Sequence, residues 1–147
     1  MIRIAVIFES SPFDRKGLFN AVHNRIRHLH STGECEIDAY CIHSRDTAFT
    51  RRVRHTPRVS FVDQVTVDDV RYKMLWYDFS VIDHILVHKL HKHPFFFSRF
   101  LSRNVELLKG YDCICAHSFS GAYFAYEASR RFDVPYIVTW HGSDIHT

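Results

Sequence analysis

Residues 111–144, YDCICAHSFSGAYFAYEASRRFDVPYIVTWHGSD, contain two strand candidates on either side of one helix candidate. Tyr111–Ala116 is a short apolar run, and Tyr136–Trp140 is apolar on both faces, as buried parallel strands are. Ala122–Phe132 between them is rich in small residues, which let a helix lie close to a sheet. Parallel strands joined by a helix form a right-handed crossover, so this stretch predicts part of an α/β sheet.

The beginning of the chain shows a similar pattern. Ile2–Phe8 is an apolar run interrupted only by Arg3, which indicates a buried first strand. Gly17 begins a helix that Gly33 ends. The apolar residues of this helix recur at helical spacing on one face: Leu18, Val22, Ile26 and Leu29. Glu34–Ile42 is the predicted second strand, so the chain opens as strand, helix and strand.

The middle of the chain mixes strand and helix patterns. Val59–Val70 alternates weakly and predicts one strand, which Tyr72–Tyr77 either extends or ends in a turn. Val81–Leu90 and Phe95–Leu108 each place apolar residues on one face of a helix, and Gly110 ends the second helix. Together these patterns predict an α/β fold: a doubly wound, mostly parallel Rossmann-like sheet with helices on both faces.

Composition restricts the class of protein. The 147 residues suffice for one domain with a sizeable core, and the contents of 46% hydrophobic and 24% charged residues are typical of soluble globular chains. The four cysteines lack metal-binding spacing and fit a reduced core, and we expect neither a signal peptide nor a membrane span. Nothing indicates binding to nucleic acid. The expected location is the cytoplasm.

Basic residues are concentrated in one segment, although the net charge of the whole chain is only +3. Residues 45–58 contain five arginines and one aspartate, a local charge of +4. This segment is interpreted either as a solvated, poorly ordered loop or as a contact for anionic lipid, phosphate or an acidic sugar. In the second interpretation Arg51, Arg52 and Arg54 provide a peripheral contact with the inner face of the membrane.

Three loops follow predicted strands and are expected to meet at the carboxyl edge of the sheet, where open α/β sheets bind ligands. One of them, His117–Gly121, is predicted as a turn ahead of a helix. Hydroxyls, imidazoles and carboxylates suit sugars and phosphates, and helix N-termini after Gly17 and Gly121 add backbone donors for anions. The candidate ligand-binding residues are Glu9, Ser10, Ser11, Gly17, His117, Ser118, Ser120, His141, Gly142, Ser143 and Asp144.

Other kinds of site are missing from the sequence or weakly indicated. There is no Gly-x-Gly-x-x-Gly, no Walker loop and no Gly-x-Ser-x-Gly nucleophile elbow, which disfavours dinucleotide binding and α/β-hydrolase chemistry. Four histidines lie in and after the helix Val81–Leu90: His84, His88, His91 and His93. They form either a metal site or a histidine-rich surface. The surface interpretation is favoured because the first helix also carries His23, His28 and His30, so no metal site is predicted.

The C-terminal third resembles a known family. Residues 111–118, YDCICAHS, are followed by Gly121–Tyr123 and by residues 134–145, VPYIVTWHGSDI. Their order and separation are similar to the N-terminal domain of family 4 glycosyltransferases of the GT-B fold. Those domains often read Asp, two hydrophobic residues and His-Ala-His, then Pro, three hydrophobic residues and Thr-x-His-Gly-x-Asp. Cys115 stands where the first histidine of the His-x-His pattern often lies.

The resemblance implies a two-domain enzyme that transfers a sugar from a nucleotide-sugar to a glycan or lipid-linked acceptor with retention of configuration, in polysaccharide or glycoconjugate synthesis. In such enzymes the N-terminal domain mostly binds the acceptor and the C-terminal domain binds the donor. The histidine that matches His141 faces the transferred sugar as the catalytic residue. No cofactor or metal is implied, because the nucleotide-sugar is a substrate. Where the family has a Gly-Gly pair near the diphosphate, this chain has Ser10-Ser11-Pro12 and a lone Gly17.

Residues 1–147 are accordingly expected to form a truncated Rossmann-like N-terminal domain, the incomplete half of a GT-B fold without its donor-binding domain, and to be inactive alone. The apolar run Tyr136–Trp140 independently favours a neighbouring strand, because natural proteins avoid exposed apolar edges. The alternative is a stand-alone flavodoxin-like binding module for a phosphate-bearing ligand or a partner protein.

Overall fold

The strands in the described part of the chain form one six-stranded sheet. The computed structural model describes residues 1–13, 15–58 and 61–142. In chain order the elements are β1 (Ile2–Glu9), α1 (Gly17–Thr32), β2 (Cys35–Asp46), α2 (Ala48–Arg54), β3 (Gln64–Val67), β4 (Val70–Phe79), α3 (Val81–His88), α4 (Phe97–Asn104), a 3₁₀ turn (Val105–Leu108), β5 (Cys113–His117), α5 (Ser118–Phe132) and β6 (Tyr136–Thr139). The strand order is β3-β4-β2-β1-β5-β6, and only the β3–β4 pair is antiparallel. The predicted Rossmann-like α/β fold is confirmed.

Helices cover both faces of the sheet because side chains alternate along each buried strand. On one face α1 packs against β1, β2 and β4 through residues such as Val6, Phe8 and Phe19. On the other face α4, the 3₁₀ turn and α5 pack against Ile7, Ile114 and their neighbours. None of the helices in the described ranges is long and apolar enough to cross a membrane.

The predicted first helix is confirmed at both ends. It begins at Gly17 and is followed by Gly33, whose φ of +68° places it in the left-handed region that ends many helices. The Gly33 N–H donates to the His30 carbonyl at 3.2 Å. The prediction that this helix carries its histidines on the surface is wrong for His23, which is buried and lies 2.5 Å (Nδ1) from the Tyr72 hydroxyl.

The prediction of one strand over residues 59–70 is confirmed for Gln64–Val67, which form β3, but β4 begins at Val70 and the two strands form a hairpin. Residues 59 and 60 of the predicted strand lie outside the described residues. Asp68 and Asp69 both have positive φ, +45° and +68°, and they connect Val67 directly to its partner Val70. Aspartate tolerates the left-handed region, so this pair can form the tight turn that hairpins favour without a glycine. Tyr72–Tyr77 is therefore neither an extension nor a turn but the centre of β4, which pairs in parallel with β2.

The interpretation of residues 45–58 as a poorly ordered loop is also wrong. β2 continues to Asp46, and α2 follows at once. The Thr47 hydroxyl caps α2 by accepting the Thr50 N–H at 3.2 Å, and His55 ends it in the left-handed region. The arginines that suggested a solvated loop therefore belong to a short capped helix.

The helix predicted over residues 81–90 ends earlier and points its apolar side outward. α3 stops at His88, and Ile82 is 65% exposed while Asp83 is buried. The second predicted helix, residues 95–108, is confirmed in outline, with Phe97 and Val105 in the core. Its first two predicted residues precede α4, and its last turn is a 3₁₀ turn.

Candidate active site

The candidate residues come together at the carboxyl ends of β1, β5 and β6, which are neighbours in the sheet. β1 ends at Glu9, β5 ends at His117, and His117 pairs with Thr139 near the end of β6. Two residues beyond Thr139 lies His141. The expected meeting of the three loops at one edge is therefore observed for the residues that the structure describes.

β5 passes into α5 without the predicted turn. Ser118 is the first residue of the helix and has a φ of +67°, which serine adopts rarely. Its hydroxyl accepts the Glu9 N–H at 3.1 Å and so ties the junction to the end of β1. The prediction of a turn over His117–Gly121 is wrong because Gly121 lies directly against the Ile7 carbonyl and lets the helix start at the sheet.

Glu9 is held at the mouth of a cleft by two hydroxyls. Ser120 donates to Glu9 Oε2, and the Tyr77 hydroxyl donates to Glu9 Oε1 at 3.2 Å. Burial, together with the Glu9 carboxylate, raises the pKa of Tyr77 well above its usual value, so the phenol stays protonated and remains a donor. A carboxylate oriented in this way can accept hydrogen bonds from the hydroxyls of a sugar.

His117 and His141 form a pair at the ends of β5 and β6. His117 Nδ1 lies 3.1 Å from His141 Nε2, and the ring centroids are 5.4 Å apart. Burial, the neighbouring His141 and the Arg25 charge lower the pKa of His117 to about 4. His117 is therefore neutral at physiological pH. Its Nε2 is buried and has no hydrogen-bond partner among the described residues.

Glu9 and the histidine pair lie on opposite faces of the sheet edge. Ile7 belongs to the core under α5, and alternation along β1 places Glu9 on the same side. Cys115 packs against the core under α1, and alternation along β5 places His117 there. The structure thus joins Glu9 with Ser120 and joins His117 with His141, with Ser118 between the two groups.

The other predicted residues take part in neither the Glu9–Ser120 contact nor the His117–His141 contact. Ser10 and Ser11 line a small cavity of about 230 Å³ that Glu9 and His43 share. Gly17 begins α1, and a Cβ added at Gly142 would meet no atom of the described residues within 4 Å. Ser143 and Asp144 lie outside the described residues, so their predicted role stays a prediction.

The basic residues of α2 are partly committed to the protein itself. Arg54 Nη1 donates to Asp46 Oδ2 at 2.9 Å, and Arg51 Nη1 donates to the Asp46 carbonyl at 2.9 Å. Arg52 is exposed. Contact of Arg51, Arg52 and Arg54 with a membrane stays a prediction. Among the residues that the structure describes, no group of three or more His, Cys, Asp or Glu side chains could hold a metal ion.

Sequence reasoning missed four residues at this edge. Tyr77 reaches Glu9 from β4, Arg25 Nη1 donates to Thr139 Oγ1 at 3.2 Å, and the Phe119 and Trp140 rings lie 4.9 Å apart. Tyr77 and Arg25 come from elements far from the motif in sequence, so no local pattern could reveal them. Phe119 and Trp140 lie within the motif, and the aromatic residue before His141 was a signal that could have been used.

The buried His117 predicts a measurable dependence of stability on pH. In the unfolded chain histidine titrates near pH 6.5, whereas in the folded protein the pKa of His117 is about 4. Between these values the unfolded chain binds a proton that the folded protein does not, so stability is lost as the pH falls below about 6.5. From pH 7.5 to 5, urea denaturation should show on the order of 1 kcal/mol more loss for the wild type than for His117→Phe. Equal losses would show that His117 protonates freely in the folded state.

No protein-family model and no curated protein matches this chain.

Proposed function

We propose that this chain is the acceptor-side N-terminal domain of a retaining glycosyltransferase. The reaction moves a sugar from a nucleotide-sugar to a glycan or lipid-linked acceptor in polysaccharide or glycoconjugate synthesis, on the cytoplasmic side of the membrane. The observation that carries the proposal is the contact of 3.1 Å between His117 and His141 at the carboxyl ends of neighbouring parallel strands. Open α/β sheets bind ligands at this position.

The two histidines have different roles in this proposal. His117 is buried and uncharged at neutral pH, and its hydrogen bond fixes the orientation of the His141 ring. His141 is the catalytic residue that contacts the transferred sugar. Across the sheet edge, Glu9 accepts acceptor hydroxyls, and Ser120 and Tyr77 hold its carboxylate in place. A fixed carboxylate and a fixed imidazole orient two sugars with little loss of side-chain entropy on binding.

The exposed edge strand β6 also supports the proposal that the domain belongs to a larger enzyme. β6 pairs only with β5 in the described part of the chain, and Ile137 on it is 60% exposed. Exposed apolar edge strands promote association. A following strand of the same domain, ahead of the donor-binding domain, would cover this edge.

The proposal predicts a difference between this chain and the complete gene product. Residues 1–147 should release no nucleoside diphosphate from any UDP-, GDP- or dTDP-sugar in a coupled assay. The complete reading frame should encode a second domain with a Glu-x7-Glu motif and should turn over at least one donor. His141→Ala in the complete protein should lower kcat at least about 100-fold, because the group that contacts the transferred sugar is lost.

The exposed His28 on α1 provides the matched control, and His28→Ala should leave kcat unchanged. Turnover by residues 1–147 alone would contradict the proposal. A reading frame that stops at Thr147 would favour the stand-alone binding module instead.

A further inference from the structure

A cleft lies on the α5 side of the sheet edge, the side on which Glu9 is found. It has a volume of about 580 Å³, within the range of small-molecule sites. Glu9, Phe119 and Ser120 line it together with the segment that follows α3.

The segment that follows α3 forms one wall of the cleft, and hydrogen bonds hold this segment in place. The buried Asp83 carboxylate accepts the Phe95 N–H at 2.5 Å, and the Lys92 N–H donates to the Leu86 carbonyl at 2.9 Å. His93 Nε2 lies 2.6 Å from the Tyr123 hydroxyl on α5. These contacts hold residues 88–93 in a fixed path over the cleft.

This wall carries an excess of positive and proton-accepting groups. His84, His88, His91 and Lys92 all line the cleft. The rings of His84 and His88 stack with centroids 5.7 Å apart. His91 and Lys92 make no side-chain hydrogen bond or ion pair with another residue in the described ranges.

The Asp46 carboxylate, which lines the cleft beside His84, is already paired. Burial alone would raise the pKa of Asp46, but hydrogen bonds from His84 and Thr56 and the charge of Arg54 hold it below its usual value. His84 Nε2 lies 3.1 Å from Asp46 Oδ1, and Arg54 Nη1 lies 2.9 Å from Asp46 Oδ2. Asp46 therefore stays ionised and paired, and His88, His91 and Lys92 remain to meet a ligand.

Glu9 brings a different chemistry to the cleft. Its carboxylate repels anions and accepts hydrogen bonds from hydroxyl groups, and the exposed Phe119 ring, which also lines the cleft, can contact the apolar side of a sugar. We propose that the cleft binds a phosphorylated sugar, with the phosphate at His88, His91 and Lys92 and the sugar hydroxyls at Glu9. Charge-assisted hydrogen bonds from lysine and histidine are the strong contacts that phosphate makes with proteins. This binding proposal does not depend on the transferase proposal. Where the transferase function also holds, the phosphorylated sugar is the acceptor of that enzyme.

Histidine ring NMR signals test the phosphate end at constant pH. Titration of residues 1–147 with inorganic phosphate should shift the signals of His84, His88 and His91 with one saturating isotherm. Lys92→Met and His88→Ala should each weaken this binding at least about tenfold, because each removes a charge-assisted contact. Lys89→Met and His28→Ala change exposed residues that do not line the cleft and should leave it unchanged. Non-saturating shifts of all exposed histidines, or no effect of Lys92→Met, would overturn the proposal.

The sugar end is tested with glucose 6-phosphate. This probe should bind more tightly than inorganic phosphate, and Glu9→Gln should reduce that preference while leaving the affinity for inorganic phosphate intact. Equal affinity of the two probes for the wild type would overturn the sugar assignment. Sedimentation with phosphatidic acid and phosphatidylcholine vesicles separates the two sources of phosphate. Pelleting that Lys92→Met abolishes would indicate a lipid-linked ligand, and a protein that stays in the supernatant indicates a free one.

Discussion

Gly121→Ala is expected to lower the free energy of unfolding by about 3 kcal/mol or more, or to prevent folding. A Cβ atom at this position would lie 2.5 Å from the Ile7 carbonyl oxygen and 3.3 Å from its carbon. Both are backbone atoms of a central strand that is paired on both sides, so they cannot move aside. The first turn of α5 would have to lift away from β1.

The displacement would also reach the candidate site. Ser118 and Ser120 on the first turn of α5 contact Glu9, so a lifted helix loses both contacts. Urea denaturation measures the loss of stability, and NMR of the Glu9 amide measures the local change. Gly142→Ala is the matched control, because no atom of the described residues outside its chain neighbours lies within 4 Å of its added Cβ, and it should change stability by less than about 0.5 kcal/mol. Near-equal stability of Gly121→Ala and the wild type would contradict this prediction and would show that α5 has room for a methyl group next to the Ile7 carbonyl.

The parts of the fold that sequence predicted are those with a long, regular apolar pattern. The β1-α1-β2 unit shows it in Ile2–Phe8 and in the helical spacing that ends at Gly33. The β5-α5-β6 unit shows it in two short apolar runs around a helix of small residues. In these elements local spacing and tertiary packing favour the same structure, so the pattern is sufficient.

The errors occurred where a few side chains override the local pattern. The Asp68-Asp69 turn needs two aspartates in the left-handed region, and only the pairing of Val67 with Val70 makes that apparent. α2 begins at one N-cap residue, Thr47, in a segment whose high arginine content is typical of a loop. At the β5–α5 junction the helix starts early because Gly121 can touch the sheet, which is a contact distant in sequence.

The candidate site shows the same limit. Residues at the ends of β1, β5 and β6 could be predicted, since parallel strands bring their carboxyl ends to one edge. Their division between the two faces could not, because it depends on the phase of alternation in each strand. The histidines in and after α3 were interpreted as a surface run, and contacts of that segment with Asp83, Leu86 and Tyr123 make them one wall of a cleft.

Asp83→Ala is expected to lower the free energy of unfolding by about 3 kcal/mol, because a buried acceptor with three donors is lost. Asp83 is fully buried, and its carboxylate accepts the Ser80 N–H at 2.7 Å, the Ser80 hydroxyl at 2.8 Å and the Phe95 N–H at 2.5 Å. The first bond, together with the Asp83 N–H that donates to the Ser80 hydroxyl at 3.2 Å, forms the capping box of α3. The third holds the segment after α3, so its loss also releases the histidine wall of the cleft.

Asp83→Asn separates these effects, because its single carbonyl oxygen keeps one acceptor in nearly the same volume. We expect it to lose less stability than Asp83→Ala in urea denaturation. Glu106→Ala, at an exposed acidic residue in the first turn of the 3₁₀ segment, is the control and should change stability by less than about 0.5 kcal/mol. If Asp83→Ala matched this control, the Phe95 N–H and Ser80 would have to find water instead, and the wall would be held by the Lys92–Leu86 and His93–Tyr123 contacts. Hydrogen exchange of the Phe95 amide distinguishes the two cases, because release from Asp83 exposes that N–H to solvent.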